Sequence, residues 1–426
     1  MDKRYIILGA GIVLLLIFGI LLIINTSKPK TTELNFVTQT EDEKNFAQIL
    51  PAFEQANKVK VNLIKIDSNY EVESLNRLST GKIDIWGIPA SWLPKQHDKL
   101  TAAPSALAGS YNTLYPSAIV SQNKIQGNIY GAPLSLDSLV LFANPAVKPA
   151  PSELSQADQD LLAKTPENWQ DLALQAQLVT TKSAGTITRS GAALGTANIP
   201  SSSDILTVLM LQYGAQMTNA ENSQATFHTA VNVFGGESYP GAAALDFYTS
   251  FAKADNKNYS FSDTMGEALR TFATGKAAYY VDYSAKEADI KRINPDLNFQ
   301  IYPLPQIEET KNPVNFLSYE TMTVPQSSKN QTMAWKLIEF LTAQANADLY
   351  YFDSGNHPAL SYKISDVQGI VEKQVETAKS WYNPDATAVD QIFRSAISQV
   401  LSGKGSQTVL DGAAVDVTSL LGKIKE

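Results

Sequence analysis

Short apolar runs alternate with amphipathic stretches after position 33. The run Leu34–Val37 has strand length, and apolar residues over Glu41–Asn57 recur every three to four positions, as on one face of a helix. Val59–Ile66 alternates residue by residue, Tyr70–Ser79 is again helical in pattern, and Ile83–Trp86 is a further apolar run. The order strand, helix, strand, helix, strand predicts a parallel sheet with right-handed crossovers.

The alternation continues through the rest of the chain. The predicted helices are Pro166–Leu172, Asp204–Tyr213, Tyr239–Ala254, Met265–Thr274 and Gln331–Leu341. The predicted strands are Ala192–Thr196, Ala277–Val281, Phe299–Pro305 and Thr321–Pro325. The prolines of Phe299–Pro305 place that strand at a sheet edge. The chain is therefore predicted to be an α/β protein, in which ligands bind outside the carboxyl ends of the strands.

The segment Gly127–Asn144 is predicted to carry the chain from one lobe to a second. Gly131 gives backbone freedom, Pro133 excludes helix, and Leu139–Ala143 is an apolar run of strand length. One carboxylate, Asp137, precedes this strand. Two later segments, Tyr280–Ser284 and Leu317–Thr321, are predicted to cross beside it and complete a hinge of three strands.

The N-terminus contains a long apolar segment. Tyr5–Ile24 is twenty residues without a charge, preceded by Lys3 and Arg4, and as a helix it just spans a bilayer core. A buried core helix and a cleaved signal peptide are the alternatives, but no Ala-x-Ala site follows Ile24. We predict an uncleaved single-pass membrane anchor within residues 1–30, with a cytoplasmic stub, a short tether and an extracellular or periplasmic body.

Length, net charge and cysteine content exclude several kinds of partner and site. The 426 residues exceed what one core usually organises, which favours two domains. A net charge of −8 argues against nucleic acid as a partner, because phosphate binding needs clustered Lys and Arg. The absence of cysteine excludes disulfides, thiolate metal sites and a lipidated Cys.

The sequence lacks the common motifs for catalysis. There is no G-x-S-x-G, no H-E-x-x-H and no phosphate-binding loop, and the three histidines stand far apart. The acidic triplet at 41–43 is explained by the preference of a helix start for negative charge. We therefore expect a protein that is not an enzyme and uses neither a cofactor nor a metal.

Several short motifs in order along the chain resemble one family. They are Ile129–Asn144, Pro166–Trp169, Phe272–Tyr279, Pro303–Pro305, Ser328–Asn330 with Ala334–Trp335, and Gly355–Ala359. Together they resemble the extracellular solute-binding proteins of ATP-binding-cassette importers, of the maltose-binding type that takes sugars. The resemblance implies a two-lobed periplasmic-binding-protein-like fold of type II, a ligand held in the cleft, hinge closure and handover to permease subunits.

The resemblance and the predicted crossings together give a domain division. Lobe 1 is expected to comprise residues 31–138 and 283–318, and lobe 2 residues 139–282 and 319–426. The protein is expected to be a monomer.

A sugar presents apolar ring faces and many hydroxyls, so its site needs aromatic side chains together with carboxylates and amides. The loops that face the predicted cleft offer this mixture. The candidate ligand-binding residues are Gln39, Glu41, Asn69, Tyr70, Ser91, Asp137, Tyr283, Tyr319, Glu320 and Trp381.

The main functional hypothesis is a membrane-tethered receptor that captures a carbohydrate, specifically an oligosaccharide, and delivers it to an importer. The alternative is a surface sensor or adhesin of the same fold that binds a peptide or another small solute without transport. A surface hydrolase with unrecognised carboxylates is a third class, which the missing catalytic motifs disfavour.

Overall fold

The computed structural model describes residues 32–39, 43–66, 69–233, 236–307, 313–352, 356–366 and 369–425. The predicted anchor Tyr5–Ile24, the tether up to residue 31 and the candidate Glu41 lie outside the described residues. Within the described ranges, no helix combines the length and apolar character that a membrane crossing requires.

Helices and short strands alternate over the described chain. The strands are β1 Thr32–Thr38, β2 Val59–Lys65, β3 Ile85–Pro89, β4 Lys124–Ile125, β5 Asn128–Ile129, β6 Ser135–Ala143, β7 Thr181–Ser183, β8 Thr186–Ala193, β9 Val231–Val233, β10 Gly236–Ser238, β11 Ala277–Tyr283, β12 Gln300–Pro303, β13 Leu317–Ser318, β14 Glu320–Thr323 and β15 His357–Pro358. The α-helices are α1 Glu43–Asn57, α2 Tyr70–Ser79, α3 Leu93–Gln96, α4 Ser105–Leu114, α5 Ser117–Asn123, α6 Gln156–Leu162, α7 Trp169–Val179, α8 Ser202–Gln212, α9 Pro240–Ser250, α10 Ala268–Ala273, α11 Lys286–Ile293, α12 Gln331–Thr342, α13 Gln344–Tyr351, α14 Ser361–Asp366, α15 Ile370–Val375, α16 Ala386–Leu401 and α17 Ser406–Lys425.

The smaller sheet forms lobe 1 and has the strand order β14-β3-β1-β2. Strand β1 lies parallel to both β2 and β3, which confirms the parallel sheet predicted from the pattern. The predicted apolar face of α1 is also confirmed, because Phe46, Ile49, Leu50 and Phe53 are all buried. Helices α12 and α13 pack on α1 and complete this lobe.

The larger sheet forms lobe 2, and its main path is β12-β6-β11-β8-β7. Strands β11 and β8 are parallel, whereas β6 runs antiparallel to β11 and to β12. Strand β12 ends the path, as its prolines predict. The residues Leu139–Phe142 of β6 are fully buried, so this strand is the centre of the lobe 2 core.

The two lobes are joined where β6 begins. Ser318 pairs with Asp137 before the chain enters β14, and β14 pairs antiparallel with β3 of lobe 1. His357 of β15 pairs with Leu136, after which the chain passes through α14, which contacts α4, and then enters α15, which packs on β6. The start of β6, β13 with β14, and β15 are therefore the three connections between the lobes.

The structure corrects the predicted domain division. Strand β12, which we assigned to lobe 1, pairs with β6 in the larger sheet, and β14, which we assigned to lobe 2, pairs with β3 in the smaller sheet. The segment Tyr280–Ser284 does not cross between lobes, because it lies along β6 inside lobe 2. The predicted crossing at Leu317–Thr321 is confirmed by its pairing with both β6 and β3.

One strand was predicted several residues C-terminal to its position in the structure. We predicted a strand over Ala192–Thr196, whereas β8 ends at Ala193. The reason is Gly195, whose φ of 100° is incompatible with an extended strand and turns the chain toward α8.

Candidate functional site

A cleft lies between the edges where the strands of both lobes end. It consists of three connected cavities that we call the inner chamber, the neck and the outer chamber. The inner chamber, about 500 Å³, lies beside the hinge and is lined by Ser135, Leu136, Asp137, Ser284, Ala285, Glu287, Ala288, Lys291, Ser318, Tyr319, Glu320, Asn356 and His357.

The neck and the outer chamber lead away from the hinge. The neck, about 100 Å³, shares Ser318 and Tyr319 with the inner chamber; its other lining residues are Pro89, Ala90, Ser91, Gln122, Ser203, Asp204, Thr207, Tyr283, Phe316, Leu317, Trp381, Asn383, Ala386, Val389 and Asp390. The outer chamber, about 490 Å³, shares Ala90, Ser91, Gln122 and Trp381 with the neck; its other lining residues are Pro94, Ser121, Lys124, Ile125, Leu211, Ala215, Gln216, Met217, Thr218, Asn222, Ser380 and Tyr382.

Asp137 lies in the inner chamber and ties the start of β6 to the residues that follow β11. Its Oδ1 accepts hydrogen bonds from the backbone N–H of Ser138 at 2.7 Å, and from the N–H and hydroxyl of Ser284 at 3.0 and 2.5 Å. Its Oδ2 accepts one from the Ala285 N–H at 3.0 Å. Oδ2 accepts only this one of the four bonds, so it retains capacity for a ligand hydroxyl while the protein fixes the orientation of the carboxylate.

Glu320 joins the inner chamber to the end of β1. Its carboxylate accepts hydrogen bonds from the Thr38 hydroxyl at 2.6 Å and from the Gln39 N–H at 2.9 Å. Gly87 makes this approach possible, because a Cβ there would lie 2.2 Å from Oε1 of Glu320. Gln39 thus contributes its backbone beside the chamber, although its side chain lines none of the three cavities.

The connection at β15 carries a hydrogen-bonded pair of a half-buried histidine and a buried carboxylate. Nδ1 of His357 lies 2.8 Å from Oε1 of Glu372, a residue of α15 that is 2% exposed. Burial alone would lower the pKa of His357, but the hydrogen bond and the charge of Glu372 outweigh it and raise this pKa. The pair ties the third connection to lobe 2.

Tyr283 and Asp204 meet at the neck. The Tyr283 hydroxyl donates to Oδ2 of Asp204 at 2.7 Å. Burial raises the pKa of Asp204 to about 6, although the hydrogen bond from Tyr283 acts in the opposite direction. Burial and the neighbouring Asp204 also raise the pKa of Tyr283. The predicted residue Tyr283 therefore brings with it a carboxylate that sequence reasoning missed.

Tyr319, Ser91 and Trp381 also lie in the cleft. Tyr319 is 7% exposed and its hydroxyl accepts a hydrogen bond from the amide of Asn123 at 3.0 Å. Ser91 and the half-buried Trp381 line both the neck and the outer chamber. Six of the predicted residues, Ser91, Asp137, Tyr283, Tyr319, Glu320 and Trp381, are thus brought together.

The structure corrects the prediction for Tyr70. This residue is 4% exposed, packs against Trp92 in the lobe 1 core, and its hydroxyl donates to the carbonyl of Gly87. The preceding Asn69 adopts a left-handed φ of 51° at the start of α2. Neither residue lines any of the three cavities.

The lobes touch at the rim of the cleft beyond Trp381. Nζ of Lys95 in lobe 1 lies 2.7 Å from both Glu71 of lobe 1 and Asp385 at the start of α16 in lobe 2. The Thr387 hydroxyl donates to the same Glu71 at 3.3 Å. Burial would lower the pKa of Lys95, but these two carboxylates raise it. We call this group, Lys95, Glu71, Asp385 and Thr387, the rim contact.

Apart from Ser91 and Trp381, the residues of the outer chamber were not predicted, because they carry no pattern of their own. Gln122 lies in α5 and Lys124 begins β4, whereas Gln216 and Asn222 lie in the loop after α8. Short stretches of polar residues such as these also mark ordinary loops. Across the described ranges, no group of three or more His, Asp and Glu side chains is placed to hold a metal ion.

Comparison with known proteins gives one matching family and many similar folds. The family model for bacterial extracellular solute-binding protein matches residues 48–369. A galactooligosaccharide-binding protein of Bacillus subtilis (strain 168) is 21% identical over 401 residues, covering 91% of this chain and 89% of that protein. A maltodextrin-binding protein of the same organism, MdxE, is 24% identical over 306 residues, covering 70% of this chain and 68% of that protein.

Solved structures share the fold at low sequence identity. The sugar-binding protein MalE of Xanthomonas citri superposes with a TM-score of 0.73 at 17% identity, covering 92% of this chain and 98% of that one. A cyclo/maltodextrin-binding protein complexed with maltotetraose gives 0.71 at 18% identity, with the same coverage.

Proposed function

The chain belongs to the bacterial extracellular solute-binding proteins, and from that premise we propose that it captures a carbohydrate, an oligosaccharide, in the cleft between its lobes. The observation that carries the proposal is the lining of the cleft, which combines Tyr319, Tyr283 and Trp381 with an oriented carboxylate, Asp137. Aromatic faces suit the apolar faces of sugar rings, and carboxylate oxygens accept from sugar hydroxyls. The names of the two Bacillus relatives agree with this ligand class.

Closure of the lobes would complete the site. The chain crosses between the lobes at three adjacent segments, so a small change of backbone angles there can rotate one lobe against the other. A ligand that contacts both Asp137 on the lobe 2 side and Ser91 on the lobe 1 side gains most in the closed form. Ligand binding would therefore shift the population toward closure.

The proposal also covers the cellular location of the protein and its partners. The segment Tyr5–Ile24 would anchor it in the membrane, and the body outside would deliver its ligand to the permease subunits of an ATP-binding-cassette importer. We propose that it acts as a monomer and that it is not an enzyme. Mass analysis of the mature N-terminus tests whether the anchor is retained.

Tryptophan fluorescence tests the ligand class. Of the five tryptophans, Trp86, Trp92, Trp169 and Trp335 are buried in the lobe cores, and Trp381 lines the cleft. Titration of the full-length chain with maltose, maltotetraose and galactooligosaccharides should change the emission. In Trp381→Phe the fluorescence change should be lost, while calorimetry still detects binding. A response to peptides or amino acids, and to none of the glycans, would disprove the sugar assignment.

A further inference from the structure

We propose that His357 and Glu372 form a proton-sensitive contact across the hinge, the hinge brace, which favours the closed form of the protein when His357 is protonated. Ligand capture would thereby depend on the surrounding pH. This inference rests on the proposed closure of the lobes, but not on the class of the ligand. His357 lies on β15, the third connection between the lobes, and Glu372 lies on α15.

His357 is held to lobe 1 through its neighbours in the chain. Before it, the side-chain amide of Asn356 donates to the Tyr350 hydroxyl of α13 at 3.2 Å. After it, the Ala359 N–H donates to the carbonyl of Leu134, which precedes β6 on the lobe 1 side, at 2.9 Å. The backbone of β15 is therefore attached to lobe 1 on both sides of the histidine, whereas the histidine side chain contacts lobe 2.

Glu372 is held to lobe 2 by Gln374, two residues further along α15. The Gln374 side chain is 4% exposed, and its amide donates to the Ser138 hydroxyl at 2.8 Å and to the Leu139 carbonyl at 2.9 Å. Its Oε1 accepts from the Leu304 N–H at 2.7 Å. These bonds fix α15 to the central strand of lobe 2, so a rotation between the lobes changes the distance from Glu372 to its histidine partner.

The Glu372 carboxylate depends on His357. Its Oε1 lies 2.8 Å from Nδ1 of the histidine, and across the described residues its buried Oε2 has no hydrogen-bond partner. Gly369 leaves room for Oε2, because a Cβ there would lie 2.1 Å from it. Removing one partner of a buried charged pair is strongly destabilising, since the other charge is left uncompensated. Loss of the proton from His357 should therefore weaken the contact between β15 and α15.

The elements around the brace contribute further charged side chains. Those that line the inner chamber with His357 are Asp137 of β6, Glu287 and Lys291 of α11, and Glu320 of β14. On α14, Lys363 is paired with Asp348 at 3.2 Å, and on α15, Lys373 and Glu376 are exposed. Carboxylates thus outnumber basic groups in the chamber, and a proton on His357 offsets part of their charge.

These charges set the pH range in which the brace responds. Burial alone would lower the pKa of His357, but the hydrogen bond and the surrounding carboxylates outweigh it and raise this pKa. The folded chain therefore holds the proton to a higher pH than the unfolded chain, whose histidine pKa is about 6.5. The stability that the proton contributes is fully present below about pH 6.5 and is lost as the pH rises through the raised value.

The test uses the full-length chain between about pH 6.5 and pH 9. NMR of the three histidines should place the pKa of His357 above about 6.5 in the wild type, and Glu372→Gln should lower it. In calorimetry, the wild-type affinity for maltotetraose and galactooligosaccharides should fall about fivefold as the pH rises over this range. In X-ray scattering, the radius of gyration of the ligand-free chain should rise over the same range.

His357→Gln places a neutral amide at the brace and should remove both pH dependences. The matched control is His97→Gln, because His97 is a half-buried histidine of lobe 1 whose Nδ1 lies 2.9 Å from the Pro94 carbonyl oxygen. This control should behave as the wild type does.

The outcomes separate the hinge brace from the proposed function. If His357→Gln keeps the pH dependence of the wild type, or if the pKa of His357 does not exceed about 6.5, the brace is disproved while sugar binding stands. If none of the sugars binds at any pH, the proposed ligand class fails, and the NMR and scattering measurements still decide on the brace. If His357→Gln does not fold, Glu372→Gln, which keeps the size of the side chain, takes its place in both measurements.

Discussion

The two ends of the cleft are built on different physical principles. In the inner chamber every predicted carboxylate is already bonded to the protein: Asp137 accepts four hydrogen bonds and Glu320 accepts from Thr38 and Gln39. Among the described residues that line the outer chamber, Lys124 carries the one charge, the other polar side chains are neutral, and Trp381 and Tyr382 contribute aromatic rings. The inner end of the cleft is therefore part of the hinge, whereas residues of the connecting strands β6, β13, β14 and β15 do not line the outer chamber.

The largest expected effect is that of Asp137→Ala. The variant removes an ionised acceptor, and hydrogen bonds to charged groups contribute about 1.5–3 kcal/mol each. We expect the free energy of unfolding to fall by about 3 kcal/mol or more, measured by urea denaturation, because the hydroxyl of the buried Ser284 and the N–H of Ala285 lose their acceptor. Sugar binding should be lost as well.

Two controls sharpen this prediction. Asp255→Ala, at an exposed carboxylate outside the cleft, should leave the urea midpoint unchanged. Gln216→Ala in the outer chamber should do the same. If Asp137→Ala also unfolds at the wild-type midpoint, the inner chamber is not part of the hinge and the contrast between the two ends is wrong.

An intermediate effect is expected for Asp204→Asn at the neck. Because burial raises the pKa of Asp204 to about 6, the folded chain holds this proton more tightly than the unfolded chain, whose Asp pKa is about 3.9. The stability that the bound proton of Asp204 contributes is therefore fully present below pH 4 and is lost as the pH rises through 6. Asparagine stays neutral and still accepts from Tyr283, so the variant should be more stable than the wild type at pH 7, on the order of 1–2 kcal/mol.

Thermal unfolding at pH 4 and pH 7 checks the neck prediction. The wild type should lose stability between these values, and Asp204→Asn should lose less. The exposed Asp263→Asn serves as the control. An identical pH dependence in the wild type and Asp204→Asn would show that Asp204 is charged at both pH values. The neck would then resemble the inner chamber in carrying an ionised carboxylate.

The smallest effect on stability is expected for Lys95→Met, which breaks the rim contact. Ion pairs near the surface contribute about 0–1 kcal/mol, so the unfolding free energy should change by less than that. The lobes should nevertheless open, since Lys95 bridges Glu71 and Asp385 across the cleft. X-ray scattering should show a larger radius of gyration, and sugar affinity should fall a few-fold.

The control for the rim breaks a pair within one lobe. Lys60→Met removes the Lys60–Glu54 pair of lobe 1 and should leave the scattering curve unchanged. High salt should move the wild type toward the Lys95→Met curve, because it screens the charges at the rim. Equal curves for the wild type and Lys95→Met would show that the rim does not hold the outer chamber closed.

Local patterns were enough to predict most of the elements. The apolar spacing in α1 and the alternation in β2 specify their own structure, and the crossing at Leu317–Thr321 was predicted correctly. The assignment of β12 and β14 to lobes failed because an antiparallel partner is chosen by the tertiary fold, and both strands suit either sheet. Tyr70 was misplaced for a related reason: a tyrosine at a helix start suits a core and a cleft equally.

Residues that line the cleft can be recognised in the sequence when they lie on hinge strands, but not when they lie on loops. Asp137 and Glu320 flank recognisable strands. Gln216 and Asn222 follow an apolar helix with no periodicity to mark them, and only the packing of two lobes turns that loop into a wall. The Tyr283–Asp204 pair joins residues 79 positions apart, which no local pattern reveals.

The pairing of β14 with β3 has a consequence for folding during synthesis. The Thr323 hydroxyl donates to the carbonyl of Trp86 across 237 residues, so the edge of β3 stays open until about three quarters of the polypeptide has been made. An open edge is a template for pairing with other chains, and closing so long a loop is slow. A chain that stops before β14 should accordingly aggregate rather than yield a free lobe 1.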